Sequence, residues 1–128
     1  MSDALVRSVT EVEPERWSDP NRGEMWFRTI FGGAAAEADF TAGVTELEPG
    51  GWMGSHRHEP AEIYYVFSGE GKLTIDGEEH ALSAGTAARI PGNSEHAIRN
   101  TGNGPLRLFW AFAVGSLDQI EYHFTEQQ

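Results

Sequence analysis

The chain has no cysteine, so disulfides, thiolate metal ligands and a cysteine nucleophile are all excluded. Basic residues are scarce: nine Lys and Arg stand against 20 Asp and Glu, for a formal net charge of −11. Such a chain is repelled by nucleic acid and by anionic membrane surfaces, and neither is expected as a partner. Long apolar runs are also missing. The longest, residues 108–114, falls far short of the ~20 residues that span a bilayer as a helix. The N-terminal residues have no apolar core of signal-peptide length, and with the missing cysteines this fits a cytoplasmic protein. No internal repeat or low-complexity linker interrupts the 128 residues, a length that suits one domain.

Many short segments rich in aromatic and β-branched residues are present, punctuated by Gly and Pro. Residues 25–31, 40–47, 63–67, 72–75, 87–90, 96–100 and 106–114 read as strands. Asp76-Gly77 is a two-residue hairpin signal. No window keeps a helical apolar period, and Ala34-Ala35-Ala36-Glu37-Ala38 is too short a run of helix formers to matter. Residues 1–24 are polar and broken by Pro14 and Pro20, an arm with at most one short strand. Turn signals about every ten residues point to an all-β sandwich or barrel over residues 25–128.

His56 and His58 are two apart, which puts both on one face of an extended segment. Glu62 keeps the same parity if the chain stays extended, and His96 opens a distant strand. Three imidazoles and a carboxylate suit Fe, Mn, Ni, Co or Zn and suit Ca or Mg poorly. His80 and His123 fall outside this set; His80 follows a hairpin turn and reads as an exposed strand residue. With Glu62 inward, Tyr64 and Val66 share its face while Tyr65 and Phe67 face outward. Tyr64 then either takes a proton from a substrate or hydrogen-bonds a bound molecule. Tyr122 and Phe124 form a second aromatic pair, in a lid over the barrel mouth or in a simple edge strand.

Gly50-x5-His56-x-His58-x3-Glu62-x6-Gly69 resembles the first cupin motif at every position. Gly85-x5-Pro91-x-Asn93-x2-His96-x3-Asn100 resembles the second, with Asn93 where the family usually has Gly. Asn tolerates the left-handed backbone better than most residues, so the turn survives. The resemblance implies a single-domain cupin, a double-stranded β-helix or jelly-roll barrel. It also implies one divalent transition metal ion on His56, His58, Glu62 and His96.

Pro60 to Tyr64, the motif ending in His96, and Glu121-Tyr122 sharpen the likeness to the small cupin lyases that cleave dimethylsulfoniopropionate (DMSP). That implies β-elimination of a small carboxylate substrate, with Tyr64 as base and Tyr122 assisting. A sulfonium needs aromatic faces, and Trp26, Phe40, Trp52 and Trp110 are the candidates. An Fe(II) cupin dioxygenase and a non-catalytic small-ligand cupin are the alternatives. Small cupins commonly form homodimers, and the arm before Met25 is the expected contact. Arg89 is the single candidate anion contact, with a surface ion pair as its plainer role.

Overall fold

A computed structural model describes residues 4–33 and 39–125; the helix-forming run at 34–38 lies outside the described residues. The described chain is almost entirely strand. Its elements are β1 (Glu15–Asp19), β2 (Gly23–Phe31), β3 (Thr41–Leu47), β4 (Trp52–Arg57), β5 (Glu62–Ser68), β6 (Glu70–Ile75), β7 (Glu78–Ser83), β8 (Ala87–Ile90), β9 (His96–Asn100), β10 (Leu106–Phe112) and β11 (His123–Phe124). Two 3₁₀ turns, Val9–Glu11 and Leu117–Gln119, flank the barrel strands. No helix among the described residues is long and apolar enough to cross a membrane.

The hydrogen-bonded order is β7-β6-β9-β4-β2-β3-β10-β5-β8, with β1 on β2 and β11 on β4. Every registered pair is antiparallel, and long-range pairs outnumber sequential hairpins. This curled sheet is the double-stranded β-helix expected from the motifs. β5 alternates buried and exposed from Glu62 to Phe67, so Glu62, Tyr64 and Val66 point inward. Tyr65 and Phe67 are 45 % and 49 % exposed on the outer surface. Leu47, Val66, Ile90, Leu106 and Leu108 are fully buried and join Leu73, Ile98 and Phe112 in one core.

Turn chemistry follows the residue types. Asp76 and Gly77 both have positive φ, 48° and 85°, as a type I′ turn requires. Asn93 sits at φ 64°, so the residue in place of the usual Gly adopts the left-handed backbone. Its N–H donates to the His58 carbonyl at 2.7 Å and so ties the two motif loops together.

Some expectations are corrected. β2 starts at Gly23 rather than Met25, because Glu15–Asp19 pairs with it as β1 and extends the hairpin into the arm. A strand over Trp52–Arg57 escaped the sequence reading, because Gly51 and Gly54 dilute its apolar pattern. Of the C-terminal aromatic segment only His123 and Phe124 are strand, and they pair with Arg57 and His56.

Asn100 is the principal buried polar anchor of the second motif. Its Nδ2 donates to the carbonyls of Leu47 and Gly104, each at 2.8 Å, and its Oδ1 accepts from the Gly102 N–H at 2.8 Å. Asn100→Ala would leave the buried Leu47 carbonyl without a donor. It should destabilise the fold by about 2 kcal/mol or more, read as a lower urea midpoint at unchanged slope. A loss under about 0.5 kcal/mol, the size of an ordinary surface substitution, would contradict this role.

Candidate metal centre

β4 and β9 place His56 directly opposite His96. A bulge between Met53 and His56 puts one extra residue on β4 and returns His56 to the buried face. His58 follows β4, and the chain then bends at Glu59 and Pro60. Glu62 therefore does not reach the site by continuous extended parity, as the sequence suggested. It arrives by the alternation of β5, where it pairs with Ile90 of β8 and Phe112 of β10.

His56, His58 and His96 are buried, and one ring nitrogen of each lies within 4.8 Å of those of the other two. Each Nδ1–H donates to a backbone carbonyl two residues away: His56 to Gly54 at 2.7 Å, His58 to Pro60 at 2.9 Å, His96 to Ser94 at 2.9 Å. A carbonyl can only accept, so these bonds fix a proton on Nδ1 and leave Nε2 as the nitrogen free to ligate. Burial, and next the neighbouring His96, push His56 down to about 3, so it is neutral at physiological pH.

Glu62 Oε1 lies 3.3 Å from His58 Nε2 and 3.4 Å from His96 Nε2. None of these three buried atoms has a hydrogen-bond partner. Burial alone raises the Glu62 carboxyl, but the rings of His58 and His96 outweigh it and hold it below its ordinary range. Without a proton or a cation between them, the ionised oxygen would face two nitrogen lone pairs. A cation is what such a donor set accommodates, and three imidazoles with one carboxylate fit a divalent transition metal.

The site opens into a cavity of about 50 Å³. Buried Met25, Thr45, Met53, Tyr64 and Trp110 line it beside His56 and Glu62. Half-buried Trp17, Phe27, Leu117 and Tyr122 line its mouth. No Lys or Arg is among these residues, and Arg89 is exposed on β8. Of the four aromatic candidates only Trp110 reaches the cavity, beside Tyr64 in register. Trp26 and Phe40 are 39 % and 62 % exposed, and Trp52 flanks an outer groove. Trp17 was missed because β1 read only as part of a polar arm, and Phe27 because the register of β2 decides which of its rings face the cavity. His80 and His123 are exposed and stand apart from the cluster, as expected.

Tyr64 Oη is buried with no hydrogen-bond partner. Burial, then the Glu62 charge, raise its phenol well above the ordinary value. Burial and Glu62 raise Tyr122 likewise. The Tyr122 ring lies 5.5 Å from that of His56 and 5.3 Å from that of His58, so the C-terminal segment does return over the mouth. Trp17 meets Phe27, Tyr122 and Phe124 edge-on at 5.6, 5.5 and 5.4 Å. Each such contact contributes about 0.5–1.5 kcal/mol beyond its buried area.

The model of the cupin domain matches residues 43–112, more than half of the chain. The chain belongs to the cupin family. This cupin is 43 % identical to dimethylsulfoniopropionate lyase DddW from Ruegeria pomeroyi, over 84 % of its own length and 71 % of that protein. It is 35 % identical to an oxalate-binding protein from Thermotoga maritima, over 81 % and 88 %. The crystal structure of a predicted oxalate decarboxylase from Thermotoga maritima superposes with a TM-score of 0.75 at 27 % identity, covering 86 % and 99 %.

Removing one imidazole should cost at least the 10–100-fold in metal affinity that loss of an outer-shell partner costs. His96→Ala is expected to show this for Co, Ni or Zn by competition with a chromophoric chelator. Saturating metal should raise the melting temperature of the unaltered chain and leave that of His96→Ala nearly unmoved, because ligation stabilises only the folded state. Equal affinity and equal stabilisation in both proteins would remove His96 from the ligand set.

Proposed function

We propose that this cupin is a metal-dependent carbon–sulfur lyase that cleaves DMSP to dimethyl sulfide and acrylate. The observation that carries this reading is the partnerless Tyr64 phenol, buried in the same cavity as Glu62 and the aromatic faces. The likeness to DddW supports the substrate.

His56, His58, Glu62 and His96 are the proposed ligands of one Fe, Mn, Ni, Co or Zn ion. A dication there supplies Lewis acidity toward the substrate carboxylate and opposes the burial and the Glu62 charge that hold the Tyr64 proton. With no Lys or Arg in the lining, nothing else in the cavity meets a carboxylate as a counter-charge. Trp110, Phe27 and Trp17 offer ring faces to a sulfonium. Tyr64, once its own phenolic proton has passed to water through the mouth, takes the α-proton on Oη as the phenolate. The C–H electron pair becomes the C=C bond of acrylate, and the C–S pair leaves with dimethyl sulfide. Tyr122 orients the substrate from the mouth.

A second reading, binding of a small dicarboxylate without turnover, is favoured by the 35 % identity to the oxalate-binding protein. One panel separates the readings. Protein loaded with each metal should release dimethyl sulfide from DMSP without consuming oxygen. Tyr64→Phe should keep its metal and lose about 100-fold or more in kcat. Oxygen uptake with bound iron would replace the lyase with a dioxygenase, and tight oxalate binding with no dimethyl sulfide would replace it with a binding protein.

The homodimer is proposed to form through the outer face of β5, with the arm before Met25 as the alternative contact, since β1 pairs with β2 of its own chain along one edge. Ile63, Tyr65 and Phe67 are 51 %, 45 % and 49 % exposed there, an uncharged stripe on a chain of net charge −11. Two copies approach along it with least repulsion. Light scattering should give twice the 14.1 kDa chain mass and fall to one mass for Tyr65→Glu with Phe67→Glu. A monomeric unaltered chain would reject the dimer.

A further inference from the structure

The cavity wall divides by exposure. Its deep residues are buried on barrel strands, whereas the solvent-reached residues are Trp17, Phe27, Leu117 and Tyr122. All four come from segments outside the matched cupin domain: Trp17 from β1, Phe27 from β2, and Leu117 and Tyr122 from beyond β10. The mouth is therefore built from the two ends of the chain.

Trp17 is where those ends meet. Its indole touches Tyr122 and Phe124 of the C-terminal segment and Phe27 of β2, all edge-on. The Arg22 guanidinium lies over the same ring at 5.4 Å. Arg22 is in turn held by Asp19, through Nε at 2.7 Å to Oδ2 and the backbone N–H at 2.7 Å to Oδ1.

This turn is pressed onto the metal-ligand strand. The Gly54 N–H donates to the Arg22 carbonyl at 2.8 Å, and a Cβ on Gly54 would lie 2.0 Å from the Asn21 carbonyl oxygen. The Gly54 carbonyl accepts the His56 Nδ1–H. One residue thus anchors both the turn whose Arg22 lies over the indole and the ring of a proposed ligand. A side chain fixed so closely relative to the reacting centre works as a size filter, and a cavity of about 50 Å³ leaves little slack around a small molecule.

We propose that Trp17 is a specificity-determining residue of this cupin, the wall that limits the size of molecule reaching the His–Glu cluster. The proposal rests on the reading of that cluster as a metal site but not on the lyase activity.

The test uses the full chain loaded with Co(II) and follows its visible absorption during titration with imidazole and with 4-phenylimidazole. Both probes offer the same donor nitrogen and differ in bulk. Trp17→Ala should lower the ratio of the 4-phenylimidazole to the imidazole dissociation constant by tenfold or more. Trp17→Phe should lower it by less, in the same direction. A purely structural indole would weaken both probes together and leave the ratio unchanged. An unchanged or raised ratio in Trp17→Phe and in Trp17→Ala overturns the proposal. A lowered ratio in a protein that releases no dimethyl sulfide from DMSP keeps the filter and discards the lyase.

Discussion

The Glu62 carboxylate oxygen and two imidazole nitrogens, all buried, face one another across 3.3 and 3.4 Å. Without a cation or a shared proton that arrangement is unfavourable, because each group has lost its solvent partners. It persists because the surrounding barrel determines each side chain separately. Every ligand imidazole is pinned through Nδ1 to a carbonyl two residues away, and Glu62 rides on a strand paired on both edges. The rings are thereby set in one tautomer before any ion arrives. A preorganised, nitrogen-rich set of this kind favours first-row transition metals over Ca or Mg.

The cavity next to this cluster extends the same electrostatic logic. Its lining carries one acid, several aromatic faces and no Lys or Arg. A substrate with its own negative charge must satisfy that charge at the cluster, whereas a positive end can rest against rings. The two functions are divided between elements: barrel strands and the bend after β4 carry the proposed ligands and Tyr64, and the flanking segments carry Trp17 and Tyr122. Chemistry is thus held by the most constrained part of the fold. Admission is controlled by segments anchored through edge contacts and a short turn, where substitution disturbs the core least.

Much of this was legible in the residues. The two motifs with their intervening glycines named the four proposed ligands. The alternation of β5 put Tyr64 beside Glu62 and turned Tyr65 and Phe67 outward. The Asp76-Gly77 turn and the left-handed Asn93 followed from side-chain sterics. The parity argument from His58 to Glu62 reached the right residue by a route the chain does not take, since Glu59 and Pro60 bend it away from extended backbone. Local periodicity carries no information across such a bend.

The aromatic wall was not legible. Trp17, Trp26, Trp52 and Trp110 look alike as letters, and their positions depend on which strands pair and in what register. Trp17 meets Phe124 although nearly the whole chain separates them. The sequence by itself determined the class of fold, the donor atoms and the turns, because these follow from motif spacing, side-chain chemistry and steric limits on φ. Only the tertiary structure decided which rings enclose the cavity and that both chain ends form its mouth, because those contacts exist only after distant strands have closed the barrel.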